Sequence, residues 1–372
     1  MRQRPGRGAC CHCALLASAG RRSISGAECA NRFAVTPFQF VSLSWNRKIS
    51  MRFHHTLAFT TSLLAGLCLS SATAQTADYP TRPITMVVGY SAGGGTDVLA
   101  RIVAEKLAAS LGQPVVVENR PGVGAIVGST YVAKAKPDGY TLLMGASGPM
   151  VFNHALYAKL PYGPQDFAPV TLVGISPMVL LVNANNPVKS VQELVAFSKQ
   201  NPDKSNYGAS SASFQLITEL FNNKTGGRFM YIPYKGANDS VTAVMTGDVT
   251  MTLADVGPAN VGLQSGRVKA LAVTSAERLK DFPNVPTLSE LGIDLKASLW
   301  NGLLAPAGTP VAIVKRLQEE VARVIELPDV KKRISGMSVI PYTNTPEDFS
   351  KFIASEIVLW TQVAKDNNIK AN

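Results

Sequence analysis

Residues 84–97 read Ile84-Thr85-Met86-Val87-Val88-Gly89-Tyr90-Ser91-Ala92-Gly93-Gly94-Gly95-Thr96-Asp97. The opening is a short apolar run with β-branched residues, closed by glycine, which predicts a buried strand. A glycine-rich turn follows. Beyond it Val98, Leu99, Ile102, Val103 and Leu107 recur at helical spacing until Gly112. Strand, glycine turn and helix make the first half of a βαβ unit. The continuation agrees: a strand at 114–118, a helix at 125–135 and a third strand at 140–144. The order β-α-β-α-β predicts a parallel sheet covered on both faces.

A second set starts near Val179. Leu180-Leu181-Val182 reads as a strand, and 191–199 as a short helix ahead of Asn201-Pro202. A short strand at 205–208 ends in a small-polar loop at 209–213, and a helix runs on through Phe221. Further strands are expected at 230–233, 249–253 and 268–274, with helices between. The run 299–305 reads as a strand returning to the first unit. Two strong helices close the chain. Ile313, Val314, Leu317, Val321 and Val324 make the apolar face of one. The other opens at Thr345-Pro346-Glu347-Asp348, with an N-cap, a proline at N1 and an acid at N3. Its stripe of Phe349, Phe352, Ile353, Ile357 and Trp360 reads as core.

Charge is unevenly spread over the 372 residues, whose formal net charge is +11. Residues 1–74 hold nine Lys and Arg against the single acid Glu28, so eight of the eleven charges lie there and +3 remains. All five cysteines (Cys10, Cys11, Cys13, Cys29 and Cys68) are in the same stretch. From Met51 the sequence has the layout of a secretory leader: basic Arg52, an apolar core at 57–69, and the small-x-small site Ala72-Thr73-Ala74. The apolar core is too short to span a bilayer. We expect cleavage after Ala74, a leader at 51–74, and an upstream extension at 1–50 with no helical or strand period. Cys10-Cys11-His12-Cys13 lacks the second spaced pair of a zinc site. Beyond residue 74 there is no cysteine and one histidine, His154. An exported protein follows, with no disulfide, metal or cofactor expected. Nothing interleaves basic and aromatic residues as nucleic-acid binders do.

Gly93-Gly94-Gly95-Thr96-Asp97 is the most informative local motif. Its glycines allow close backbone approach, and the amides of the following helix start suit an anion, a carboxylate or a phosphate. A plain capped turn would use the same residues. No Lys-Ser/Thr pair follows, so it is no phosphate-binding P-loop. Gly122-Val123-Gly124-Ala125-Ile126-Val127-Gly128 mimics a dinucleotide fingerprint, but no acid follows at a second strand end. Tight helix–strand packing accounts for it. Gly145-Ala146-Ser147-Gly148-Pro149 has proline where a nucleophile elbow has glycine. The Ser147 hydroxyl fits better as a donor to a bound ligand. Ala209-Ser210-Ser211-Ala212-Ser213 supplies hydroxyls and a second helix start. Two anion-friendly helix starts, one per domain, can face each other across a cleft.

These residues resemble the periplasmic solute-binding proteins of the tripartite tricarboxylate transporter family, also called the Bug family. The likeness rests on ordered motifs from Tyr79-Pro80-Thr81-Arg82-Pro83 to Trp300-Asn301-Gly302-Leu303-Leu304-Ala305-Pro306. Between them lie Ala92 to Asp97, Glu118-Asn119-Arg120-Pro121-Gly122, Pro137-Asp138-Gly139-Tyr140, Asp166-Phe167-Ala168-Pro169-Val170 and Tyr234-Lys235-Gly236. The resemblance implies an α/β, two-domain periplasmic-binding-protein fold (type II, Venus flytrap) with two hinge-crossing strands. Domain 1 would comprise 75–177 and 296–372, and domain 2 residues 178–295. It implies a monomeric receptor that passes a small organic acid (mono-, di- or tricarboxylate, or aromatic) to a membrane permease. The implied ligand set is Tyr90, Ser91, Ala92, Gly93, Gly94, Thr96 and Asp97, with Ser147, Gly148, Ser210, Ser211, Ser213, Gln215 and Asp255. The second-domain loop is shorter than the family's usual one, and Gln215 stands near the position where relatives often carry histidine. Two alternatives use the same residues: a ligand-sensing receptor feeding a two-component sensor, or a secreted serine hydrolase built on Ser147.

Overall fold

In the computed structural model, residues 79–371 are described. The leader, its cleavage site and the 1–50 extension lie outside these residues. β1 (Ile84–Val88) pairs in parallel with β2 (Val115–Asn119) on one side and β3 (Thr141–Ala146) on the other. Its interior place explains its unbroken apolar run: Ile84, Met86, Val87 and Val88 are fully buried. Helix α1 (Gly95–Leu111) connects β1 to β2, burying Leu99, Ile102, Val103, Leu107 and Leu111, and ends at left-handed Gly112. The short helix α2 (Ile126–Ala133) joins β2 to β3. It sits so close to β1 that a side chain on Gly128 would approach Gly89 Cα to 2.7 Å. The Gly122–Gly128 motif thus serves packing. After β3 a π-turn (Gly148–Phe152) runs into α3 (Asn153–Leu156).

The strand that organises the molecule is β4 (Phe167–Asn183), 17 residues long. Only its last part was expected from sequence. Pro169 and Pro177 interrupt its pattern, and the ladder slips register between Pro169 and Thr171, where proline has no N–H to give. Its first half pairs antiparallel with β9 (Ser298–Pro306), which continues through β3 to β1 and β2. Its second half pairs with β7 (Met251–Asp255) and β8 (Val268–Val273). β5 (Asn206–Ala209) and β6 (Met230–Pro233) extend that side in parallel.

One strand therefore belongs to two sheets, and the chain crosses between lobes twice. The first crossing is at Pro177–Met178 inside β4. The second is at Ala297–Ser298, where Ala297 N donates to Thr274 O at 3.2 Å and Ser298 pairs with Pro177. This is the two-domain periplasmic-binding-protein fold.

Helices α4 (Val191–Gln200), α5 (Ala212–Thr225), α6 (Ala237–Thr246) and α7 (Val256–Gln264) cover the second sheet. The closing segment holds α8 (Val311–Glu326), α9 (Pro328–Gly336), the two-residue strand β10 (Ile340–Pro341) on β4, and α10 (Pro346–Asp366). The basic run Lys331-Lys332-Arg333, which reads as a solvated helix face, lies exposed on α9; β10 was not anticipated as an element. In α10, Thr345 Oγ1 caps the helix by accepting from Asp348 N at 3.1 Å, and Phe349, Ile353 and Trp360 are buried as the stripe predicts. Trp300 of β9 packs edge-on against Phe349, with ring centroids 5.2 Å apart. No helix of the described residues is long and apolar enough to cross a membrane.

Candidate functional site

A cavity of about 740 Å³ opens where the two lobes meet. Tyr90, Gly95, Thr96, Ser147, Gly148 and Asn301 line it from the first lobe; Ser211, Ser213, Asp255 and Gly257 line it from the second. Four chain segments that start helices reach it: the starts of α1, of the π-turn leading to α3, of α5 and of α7. In α1 the first intrahelical bond runs from Val98 N to Gly94 O, at 2.9 Å. The amides of Gly95 and Thr96 precede it and have no partner within the helix. In α5 the first bond is Gln215 N to Ser211 O, at 3.0 Å, which leaves the amides of Ala212 and Ser213. Each helix start adds partial positive charge, so the cavity suits an anion.

Among the described residues, no lysine, arginine or histidine lines the cavity. Its donors include backbone amides, the hydroxyls of Tyr90, Thr96, Ser147, Ser211 and Ser213, and side-chain amides. Burial pushes the Tyr90 phenol up to about 12, so it stays protonated and can donate. Asp255 is the one carboxylate in the lining, and burial raises it from the ordinary range to about 6.

The expected ligand set divides in two. Tyr90, Thr96, Ser147, Gly148, Ser211, Ser213 and Asp255 line the cavity. Ser91, Ala92, Gly93, Gly94, Asp97, Ser210 and Gln215 lie outside its lining. Asp97 is placed behind the loop as its fastener, only 2 % exposed. Its carboxylate accepts from Gly93 N at 2.8 Å, Arg101 Nε at 3.0 Å and Asn119 Nδ2 at 2.9 Å. Asn119 Nδ2 also donates to Tyr90 O at 3.1 Å, so one cluster ties both ends of the glycine loop. The hydrogen bond from Arg101, with those from Gly93 and Asn119, holds the Asp97 carboxyl down at about 2 against the upward push of burial. Gln215 contributes its backbone to the first turn of α5.

Asn301, Asn153 and Trp300 are among the cavity residues that sequence reasoning missed, as are the hydroxyl-bearing Tyr157, Ser176 and Ser338. Asn301 Nδ2 donates to Thr96 Oγ1 at 3.1 Å and to Gly145 O at 3.5 Å, joining β9 and β3 to the start of α1. Asn153 Nδ2 donates to Gly124 O at 2.9 Å. Trp300 also lines the cavity; it is 1 % exposed and its Nε1 has no protein partner. A polar residue inside an otherwise apolar strand was the available sign for Asn301. Ser147 Oγ accepts from Trp300 N at 3.4 Å. His154 instead stacks edge-on with Tyr162, centroids 5.7 Å apart, and lies outside the lining.

A bilobal receptor fold with a cleft of helix starts defines a class, the periplasmic solute-binding proteins. Residues 99–369 match the tripartite tricarboxylate transporter family receptor, and the chain belongs to that family. BugT of Bordetella pertussis is 36% identical over 321 residues, covering 83% of this chain and 98% of that protein. Among solved structures, MatC from Rhodopseudomonas palustris with bound malate is 32% identical, with TM-score 0.61, and the match covers 77% of this chain and 99% of that one. An R. palustris protein solved with adipate is 33% identical, with TM-score 0.65, covering 78% and 99%. The family is one of transport receptors rather than enzymes, and these two neighbours hold carboxylates.

Proposed function

We propose that this chain is exported to the periplasm, with its leader removed after Ala74, and there captures a small organic carboxylate for a tripartite tricarboxylate-type permease. It acts as a monomer, without catalysis. One ligand carboxylate sits on the amides of Gly95 and Thr96 in domain 1 (75–177 and 296–372). Ser211 and Ser213 of domain 2 (178–295) close on it, the hinge lying where β4 and the entry to β9 cross.

The observation that carries this reading is the convergence of helix starts on a cavity without a cationic side chain. Amides and hydroxyls hold a carboxylate by hydrogen bonds, which are weaker than charge-paired contacts and suit release to a permease. A thermal-shift screen of mono-, di-, tri- and aromatic carboxylates tests it. A ligand at 100 times its Kd adds about 2.7 kcal/mol of stability, which moves the midpoint by several degrees. A screen in which amines or uncharged sugars shift the midpoint and no carboxylate does would reject the reading.

A further inference from the structure

Asp255 is anomalous in a cavity otherwise built for anions. It ends β7 at the N-cap of α7, yet its side chain makes no capping bond there. β4 and α7 carry no ionisable side chain, and Asp255 is the only one on β7; β5, α5 and α6, which also pack on β7, carry Tyr207, Glu219, Lys224 and Asp239, none of them hydrogen-bonded to Asp255. Among the described residues no ion pair or hydrogen bond reaches its carboxyl; burial alone shifts its pKa. The carboxyl is half-buried in the cavity wall, and a ligand that fills the cavity strips water from it, which is unfavourable unless that ligand supplies a donor.

A second carboxylate cannot supply it while both groups are ionised, because two like charges in a desolvated site repel. The group that meets Asp255 must carry a proton to donate. We propose that Asp255 selects carboxylic acids bearing a hydroxyl or ammonium group, accepting a hydrogen bond from that substituent while the glycine loop of the first lobe holds the carboxylate. The proposal rests on the carboxylate-receptor reading above and narrows its ligand class.

Three acids of one carbon skeleton separate the possibilities: succinate, malate and aspartate differ at C2 by hydrogen, hydroxyl and ammonium. Glutarate, 2-hydroxyglutarate and glutamate repeat the comparison one carbon longer, and acetate, glycolate and glycine repeat it for a single carboxylate. Affinities are measured by calorimetry at pH 7.5 on wild type, Asp255→Ala and Asp255→Asn. Thermal midpoints in the absence of ligand confirm that the variants fold.

In at least one set the substituted acid should bind wild type about tenfold or more tighter than its parent, the scale of one hydrogen bond to a charged group. Asp255→Ala should erase that ratio by weakening the substituted acid. Asp255→Asn, which trades the charge for a donor amide, should tighten the plain diacid.

Parent acids that bind wild type as tightly as their substituted partners overturn the proposal. So does a ratio unchanged in Asp255→Ala. Tight succinate binding that strengthens from pH 7.5 to 5.5 also overturns it, because the donor would then be a proton shared between two carboxyls. If none of these acids binds while other classes do, the carboxylate reading itself falls, an outcome distinct from failure of the selectivity alone.

Discussion

The starts of α1 and α5 face one cavity but are held in different ways. In front of α1, Asp97 gathers the Gly93 amide, Arg101 and Asn119, and Asn119 reaches on to the Tyr90 carbonyl. The loop's shape is set before any ligand arrives. In front of α5, Ser211 is the N-cap but its side chain makes no capping bond. The carboxylate across from it, Asp255, is likewise unpaired. The first lobe thus offers a rigid, generic cradle. On the proposed function, the second offers groups, Ser211 and Asp255, whose partners would come with the ligand. Within one fold, the part common to all acids can be built in, and the part that discriminates left to complete itself on binding.

Breaking the fastener should give the largest effect. Asp97→Ala leaves the Gly93 amide without its acceptor and Arg101 beside a vacated pocket. Removing one member of a buried charged cluster costs about 3–5 kcal/mol; the exposure of Arg101 puts this site toward the lower end. Urea unfolding should show a loss of about 3 kcal/mol, and affinity for every carboxylate should fall together, because the shared cradle is what deforms. A variant of normal stability with altered ranking among acids would mean that the two regions do not divide their work in this way.

The same comparison sets how much could be read from sequence. The glycine loop and its helix were legible because three consecutive glycines and a 3.6-residue period are local signals. Asp97 was expected to touch the ligand, whereas it lies outside the cavity lining and fastens the loop. Its role depends on Asn119, 22 positions away across a parallel strand pair, which no local pattern encodes. The closing helices were legible in part. α8 and α10 have long apolar stripes, whereas α9 buries only Val330 and Ile334. The first half of β4 was missed because Pro169 and Pro177 read as breaks. The ladder absorbs the first by slipping register, and the second sits where the strand passes from one sheet to the other. Asn301 and Asn153 become site residues through contacts with Thr96 and Gly124, both supplied by other parts of the chain.

The two carboxylates should also pull stability in opposite directions with pH. Asp97 lies below its unfolded value, at about 2, so its contribution is complete above about pH 4 and is lost as pH falls toward 2. Asp255 lies above its unfolded value, at about 6. Between pH 4 and 6 the folded state holds its proton more tightly than the unfolded state does, so ionisation lowers stability as pH rises through that window, by about 1–3 kcal/mol. Unfolding free energies of wild type minus Asp255→Asn, measured from pH 4 to 7.5, should therefore fall with rising pH. Those of wild type minus Asp97→Asn should rise between pH 2 and 4. A flat difference for Asp255 would mean that the carboxyl is better solvated than its burial implies.

The smallest effect should come from the second lobe's hydroxyls. Ser211 and Ser213 line the cavity, whereas Ser210 does not, so the pair to remove is Ser211→Ala with Ser213→Ala. Ser211 is the N-cap of α5 without a side-chain capping bond, so the usual penalty of about 1 kcal/mol for losing a serine N-cap should not appear. Unfolding should change by less than about 0.5 kcal/mol. Binding should still weaken, because each hydroxyl that donates to a ligand carboxylate is worth about 1–2 kcal/mol. Calorimetry should show a loss of about tenfold or more for the double variant, carried mainly by faster dissociation, since the first-lobe cradle that receives the ligand is untouched. Unchanged affinity would take this loop out of the site and leave the rigid half of the cavity to hold the ligand alone.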